Sequence, residues 1–173
     1  MGKTARAVLV VAVSAILCWP HEFGHASAGM GSCPASAAVE ACPKGWLRWA
    51  SACYRSTPVK DYGLRVRVLC QSMGGRLAVP SSEAENEVVR RLIPDGSTAA
   101  YLGCHQVLTV TPEAAWECEP PSSRENALWK WRPNAPSGEK CLVIHKAGGG
   151  WDDSSCTLSR YGICKRAIPT LHF

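Results

Sequence analysis

Two sets of residues in this chain have the types and spacing to do chemistry: a His-Glu-Phe-Gly-His run at positions 21–25, and ten cysteines. His21-Glu22-Phe23-Gly24-His25 matches H-E-x-x-H, where two histidines one helical turn apart ligate zinc and the glutamate acts as base. Its surroundings argue against that use. Lys3 and Arg6 precede an apolar run over residues 7–19, which closes at Pro20 ahead of Ala26-Ser27-Ala28. This is the layout of a secretory signal peptide with an A-x-A cleavage site. The zinc pattern therefore leaves with the leader and is an accidental match. The apolar run is also shorter than the about 20 residues a membrane-spanning helix needs, and no later stretch comes closer. The expected product is a secreted, extracellular chain with residues 1–28 as signal peptide. Cleavage falls after Ala28 or, with Gly24 at the third position back, after Ala26.

Cys18 leaves with the leader, so nine of the ten cysteines remain. In an exported chain they read as a disulfide framework. Zinc is a poor alternative, because there is no C-x-x-C pair and only His105, His145 and His172 survive cleavage. Enzymatic activity is not expected: no nucleophile and base stand in a recognisable arrangement, and His145 near Cys141 reads as structural. Without Lys3, Arg6 and Glu22, the 19 basic and 14 acidic residues become 17 and 13. No basic run appears among them, which argues against a nucleic-acid partner. No N-x-S/T sequon occurs.

The elements that must position these residues are legible from periodicity. Residues 29–41 are small and polar and form a flexible lead-in that carries Cys33. Residues 46–54 read as a hairpin, with Cys42 and Cys53 able to staple its base. Over 61–73, Leu64, Val68 and Leu69 recur at helical spacing, and Gly74-Gly75 ends the helix. A second helix begins at Ser82, with Glu85 closing a capping box and Ala84, Val88 and Leu92 as its apolar stripe. Pro94-Asp95-Gly96 stops it. Short apolar runs at 100–102, 142–144 and 161–164, set among Gly, Pro and Ser clusters, suit strands joined by long loops.

Read in order, the landmarks are Cys42-Pro43-Lys44-Gly45-Trp46, Cys53-Tyr54, Cys70, Gly74-Gly75-Arg76-Leu77, Tyr101-Leu102-Gly103, Trp131, Cys141, Trp151-Asp152-Asp153, Cys156 and Tyr161-Gly162-Ile163-Cys164. This order resembles the C-type lectin-like domain over residues 42–165, leaving 166–173 as a tail. The resemblance implies an α+β fold in which two helices flank small antiparallel sheets and a long loop region carries the binding site. It also implies the pairs Cys42–Cys53, Cys70–Cys164 and Cys141–Cys156. Closing the long Cys70–Cys164 loop contributes about 4 to 5 kcal/mol on chain-entropy grounds. Cys104 and Cys118 stand where many members have apolar residues, and on adjacent strands they form a fourth bridge. Cys33 is the odd one out. It either makes an intermolecular bridge, giving a disulfide-linked homodimer, or carries a small-molecule cap.

In that family calcium is held by a Glu-Pro-Asn or Gln-Pro-Asp motif, a following acid and a Trp-Asn-Asp motif, because the ion takes six to eight oxygens. Counting four residues on from Trp131 places the first motif at Ala135-Pro136-Ser137, and Pro136 is then expected to follow a cis peptide bond. Arg132-Pro133-Asn134 is the rival placement if Trp129 is the matching tryptophan. In both, the residue before the proline offers no side-chain oxygen. Glu139 matches the middle acid, and Asp152-Asp153 replace Asn-Asp. The resemblance therefore implies Glu139, Asp152 and Asp153 as calcium ligands, joined by Ser137 in contacting carbohydrate, with calcium binding weakened or absent. The competing reading has Asp153 and Glu139 bonding the loop backbone and Trp151 in the core. The function implied is recognition of a glycan or glycoprotein, including microbial glycans in innate immunity. The alternative is a calcium-independent module for a protein ligand.

Overall fold

The computed structural model describes residues 41–107 and 116–168. The expected signal peptide, the H-E-x-x-H match, Cys33 with nearly all of the expected lead-in, and residues 169–173 lie outside the described residues.

The strands are β1 (Leu47–Trp49), β2 (Ala52–Ser56), β3 (Arg76–Leu77), β4 (Ala99–Gln106), β5 (Trp116–Cys118), β6 (Cys141–His145), β7 (Trp151–Ser154) and β8 (Tyr161–Ala167), with helices α1 (Gly63–Ser72) and α2 (Glu83–Arg91). They form two small antiparallel sheets, β1-β2-β8 with β3 also on β8, and β4-β6-β7 with β5 also on β4. The two are joined by one short parallel pairing, Ala100 with Tyr161 and Tyr101 with Gly162. Strand β8 takes in Arg166 and Ala167, and the Ile168 N–H bonds the Ser51 carbonyl at 3.1 Å, so regular structure runs past Lys165.

Strand alternation builds a core on each side of the sheet, since neighbouring side chains point to opposite faces. From β6, Leu142 and Ile144 join Tyr54, Val89, Leu102, Trp151 and Ile163, while Val143 joins Val66, Leu77, Tyr101 and Cys164. Four disulfides brace this frame: Cys42–Cys53, Cys70–Cys164, Cys104–Cys118 and Cys141–Cys156. Cys104 and Cys118 are directly opposed residues of β4 and β5.

Both helices are present, but each buries a different stripe from the one periodicity predicts. On α1 the buried residues are Gly63, Val66 and Cys70, whereas Leu64 and Val68 are 69% and 54% exposed. The reason is close packing. A Cβ on Gly63 would lie 2.9 Å from Cys141 Sγ, so the helix seats its glycine against the Cys141–Cys156 bridge. On α2 the buried residues are Glu85, Asn86 and Val89, while Ala84 is exposed and Val88 and Leu92 only flank the core. Here two polar side chains occupy core positions because every demand they make is met. Ser82 Oγ accepts the Glu85 N–H at 3.2 Å, as a capping box requires. The Glu85 carboxylate, however, accepts from the Ser81 N–H and hydroxyl, the Tyr54 hydroxyl and Lys165 Nζ. Burial alone would raise the pKa of Glu85, but these partners hold it below its ordinary value. The same contact and burial push the Tyr54 phenol far up.

Candidate functional site

The expected site lies along β7 and the loop before β6. Its anchor is Trp151, fully buried, whose indole N–H donates to Asn86 Oδ1 at 2.8 Å. Asn86 Nδ2 donates in turn to the Gly149 carbonyl at 2.8 Å, so one amide fixes both ends of the turn that feeds β7. Around Trp151 stand three more tryptophans. Trp129 and Trp131 stack at 5.7 Å, Trp116 lies 5.3 Å from Trp131, and Trp129 meets Trp151 edge-on at 5.9 Å. The backbone locks the same segment to β7: the Trp151 N–H donates to the Lys130 carbonyl, and the Arg132 N–H to the Trp151 carbonyl.

Past this anchor the Ala135–Pro136 peptide bond is cis, as expected of the family proline. The chain then curls around one carboxylate. Asp153 is 7% exposed, and its Oδ1 accepts the Ser137 N–H at 2.7 Å. Its Oδ2 accepts the Gly138 N–H at 2.7 Å and the Glu139 N–H at 2.5 Å, and the Ser137 hydroxyl lies 3.2 Å from both oxygens. Gly138 has φ of 110°, a conformation open to glycine, which lets three successive N–H groups converge as an anion nest. Burial works to raise the Asp153 pKa, but the N–H groups of Ser137, Glu139 and Gly138 outweigh it and hold the carboxyl below its usual range.

Asp152 does not join this group. Being next to Asp153 on a strand, it points to the other face, where its Oδ2 lies 3.2 Å from Arg132 Nη1 and 3.3 Å from His145 Nε2. Burial and the Arg132 charge lower the His145 pKa against the pull of Asp152, which leaves the imidazole neutral at neutral pH. The structure thus brings Ser137 and Asp153 together, uses Glu139 through its backbone N–H with the residue exposed, and turns Asp152 away. Among the described residues no three Asp, Glu, His or Cys side chains converge as metal ligands.

This donor set does not fit calcium as arranged. Ala135 offers no side-chain oxygen, both Asp153 oxygens are filled by N–H donors, and Asp152 is held by Arg132 and His145. Sequence reasoning missed the roles of Asn86, Arg132 and His145. The one signal it had was that Glu85-Asn86 interrupts the apolar pattern of α2 at positions the helix must bury.

Residues 64–166 match the Lectin C-type domain, and the chain belongs to that family, a non-enzymatic recognition family. It is 29% identical over 131 residues to mouse C-type lectin domain family 4 member A, covering 72% of this chain and 53% of that protein. It is 32% identical over 127 residues to human C-type lectin domain family 17, member A, covering 72% of this chain and 32% of that protein. The chain therefore matches only about a third to a half of these relatives' length. Among solved structures it is similar to human lithostathine, with a TM-score of 0.64 at 24% identity over 75% of this chain and 93% of that one. It is similar also to a calcium-independent type II antifreeze protein, with a TM-score of 0.61 at 23% identity over 75% and 96%. These two likenesses show the fold alone. The domain is of the disulfide-rich extracellular type, and its class of activity is carbohydrate or ligand recognition. No helix among the described residues is long and apolar enough to cross a membrane.

Proposed function

We propose that this chain is a secreted recognition protein that binds glycans, microbial glycans among them, through its long-loop face without calcium to organise the site. The observation that carries this reading is the Asp153 carboxylate bound by the N–H groups of Ser137, Gly138 and Glu139. A carboxylate so occupied has already been neutralised by fixed dipoles, and the loop it holds needs no cation for its shape. The exposed Ser137 and Glu139, with the Arg132, Asp152 and His145 group on the adjoining face, supply donors and acceptors for sugar hydroxyls. The leader at residues 1–28 supports secretion.

Glycan-surface binding by the exported chain, measured in calcium and again in chelator, tests this. Binding should be equal in both within about twofold, and Glu139→Ala with Arg132→Ala should weaken it by about tenfold, the equivalent of 1.4 kcal/mol. Loss of glycan binding in chelator would overturn the calcium-independent reading. Binding to no glycan surface would favour a protein ligand instead.

A further inference from the structure

Charge is segregated along this sequence in a way that only the fold makes visible. Residues 42–60, 62–82 and 154–168 contain no acid, yet they carry Lys44, Arg48, Arg55, Arg76, Lys165 and Arg166. Antiparallel pairing of β1 with β2, and of β2 and β3 with β8, gathers these segments into one sheet, and the Cys70–Cys164 bridge ties α1 to it. Beside that sheet opens a cleft of about 800 Å³, whose walls include Gln71, Arg76, Arg166, Ser51 and Ser122.

The acids near the cleft are already spent. Glu85 is buried and bound to Lys165 Nζ at 2.6 Å. Glu119 forms part of the cleft wall, but it is 5% exposed and lies 2.8 Å from Arg67 Nε. Burial raises the Glu119 pKa against the pull of Arg67 and Arg76. Two cations are left to act outward. Arg76 is exposed, and the acid whose field it feels is the one Arg67 holds. The Arg166 guanidinium lies 5.8 Å over the Trp46 ring and beside Gly74, a posture that fixes its fork without neutralising it.

We propose that this cleft is a second binding site, taking an acidic saccharide chain whose sulfate or carboxylate groups pair with Arg76 and Arg166 while its hydroxyls bond Gln71, Ser51 and Ser122. Arginine suits that chemistry because its planar fork meets a sulfate or carboxylate with two parallel hydrogen bonds. The volume matches a few sugar rings. A nucleic acid fits less well, because the walls offer no free aromatic face on which bases stack; Trp46 lies under Arg166. The site shares no residue with the long-loop face, so either can fail alone.

The test is binding of a sulfated hexasaccharide to the full exported chain, against its desulfated counterpart and a short DNA duplex of similar charge. The sulfated probe alone should bind, with affinity falling as salt rises. Arg76→Gln with Arg166→Gln should weaken it at least tenfold, while Arg91→Gln, exposed on α2 and not among the residues that line the cleft, should change it less than twofold. On the unmutated protein, the backbone N–H signals that shift on titration should be those of residues 71–76, Glu119, Ser122 and residues 165–167. Signals shifting only at 137–139, equal loss with Arg91→Gln, stronger binding of the duplex, or no binding of the sulfated probe would each overturn the proposal.

Discussion

The Ser137 N–H and the Asp153 carboxylate, 16 residues apart in sequence, meet at 2.7 Å, and with Gly138 and Glu139 they turn an expected metal ligand into the hub of a self-supporting loop. Asp153→Asn removes the charge that all three N–H groups address. Hydrogen bonds to a charged group contribute about 1.5 to 3 kcal/mol, so the variant should lose stability of that order in urea denaturation, with faster hydrogen exchange at residues 137–139. The pH dependence has a definite sign. The folded pKa of Asp153 is depressed, so its stabilisation is complete above the ordinary carboxylate pKa and is lost as pH falls through the lower, folded value. The variant should lack that part of the acid-side loss.

Asn86 carries a buried obligation at each end of its amide. Replacing it with leucine leaves the Trp151 indole N–H and the Gly149 carbonyl without partners. Each orphaned buried group costs about 1 to 3 kcal/mol, so Asn86→Leu should lower stability by about 2 to 4 kcal/mol despite adding apolar surface. The shift of the urea midpoint measures it.

The Cys104–Cys118 bridge closes a loop with a sequence separation of 14 between strands already paired through β4 and β5. Chain entropy assigns such a loop about 3 kcal/mol. Replacing both cysteines with serine should cost up to that amount in denaturant while leaving the other three bridges and the far-ultraviolet circular dichroism intact. A thiol count on the unmodified chain should find neither residue reduced.

Gly162, where β8 crosses β4, has no room for a side chain. A methyl there would collide with Val66 Cγ1 and come within 2.6 Å of Leu77 Cδ2. Gly162→Ala should destabilise the chain by about 1 to 3 kcal/mol through overpacking, seen as a lowered Tm. The same change at Gly96, where nothing lies within 4 Å, meets no such collision, and its cost is the backbone strain of a φ of 77° alone.

Much of this fold was legible because landmark order is a property of sequence. Cysteine spacing, Gly74-Gly75 after α1 and the Ser82 cap mark boundaries through local chemistry, and the structure puts elements at each. The faces of the helices were not legible in the same way. Apolar periodicity points to Leu64 and Val68 on α1 and to Ala84 on α2, yet burial goes to Gly63, Val66 and Cys70, and to Glu85, Asn86 and Val89. A glycine is buried for what it lacks, and a glutamate for partners 31 and 80 residues away. Neither reason is visible in a hydrophobic pattern.

By itself, the sequence determined the family and the order of its elements. It also showed that the residue before the motif proline has lost its oxygen, since each of these is a matter of residue type and spacing. Tertiary structure decided which charges remain at work. Adjacent Asp152 and Asp153 part company because strand geometry sends them to opposite faces, one to Arg132 and His145, the other into the N–H groups of a loop. Arginines that look scattered along the chain come together because strands from both ends of the domain pair in one sheet, while the acids beside them are consumed in burial. Whether a carboxylate is free to hold a ligand depends on its distances to groups far away in sequence, and those distances exist only in the folded chain.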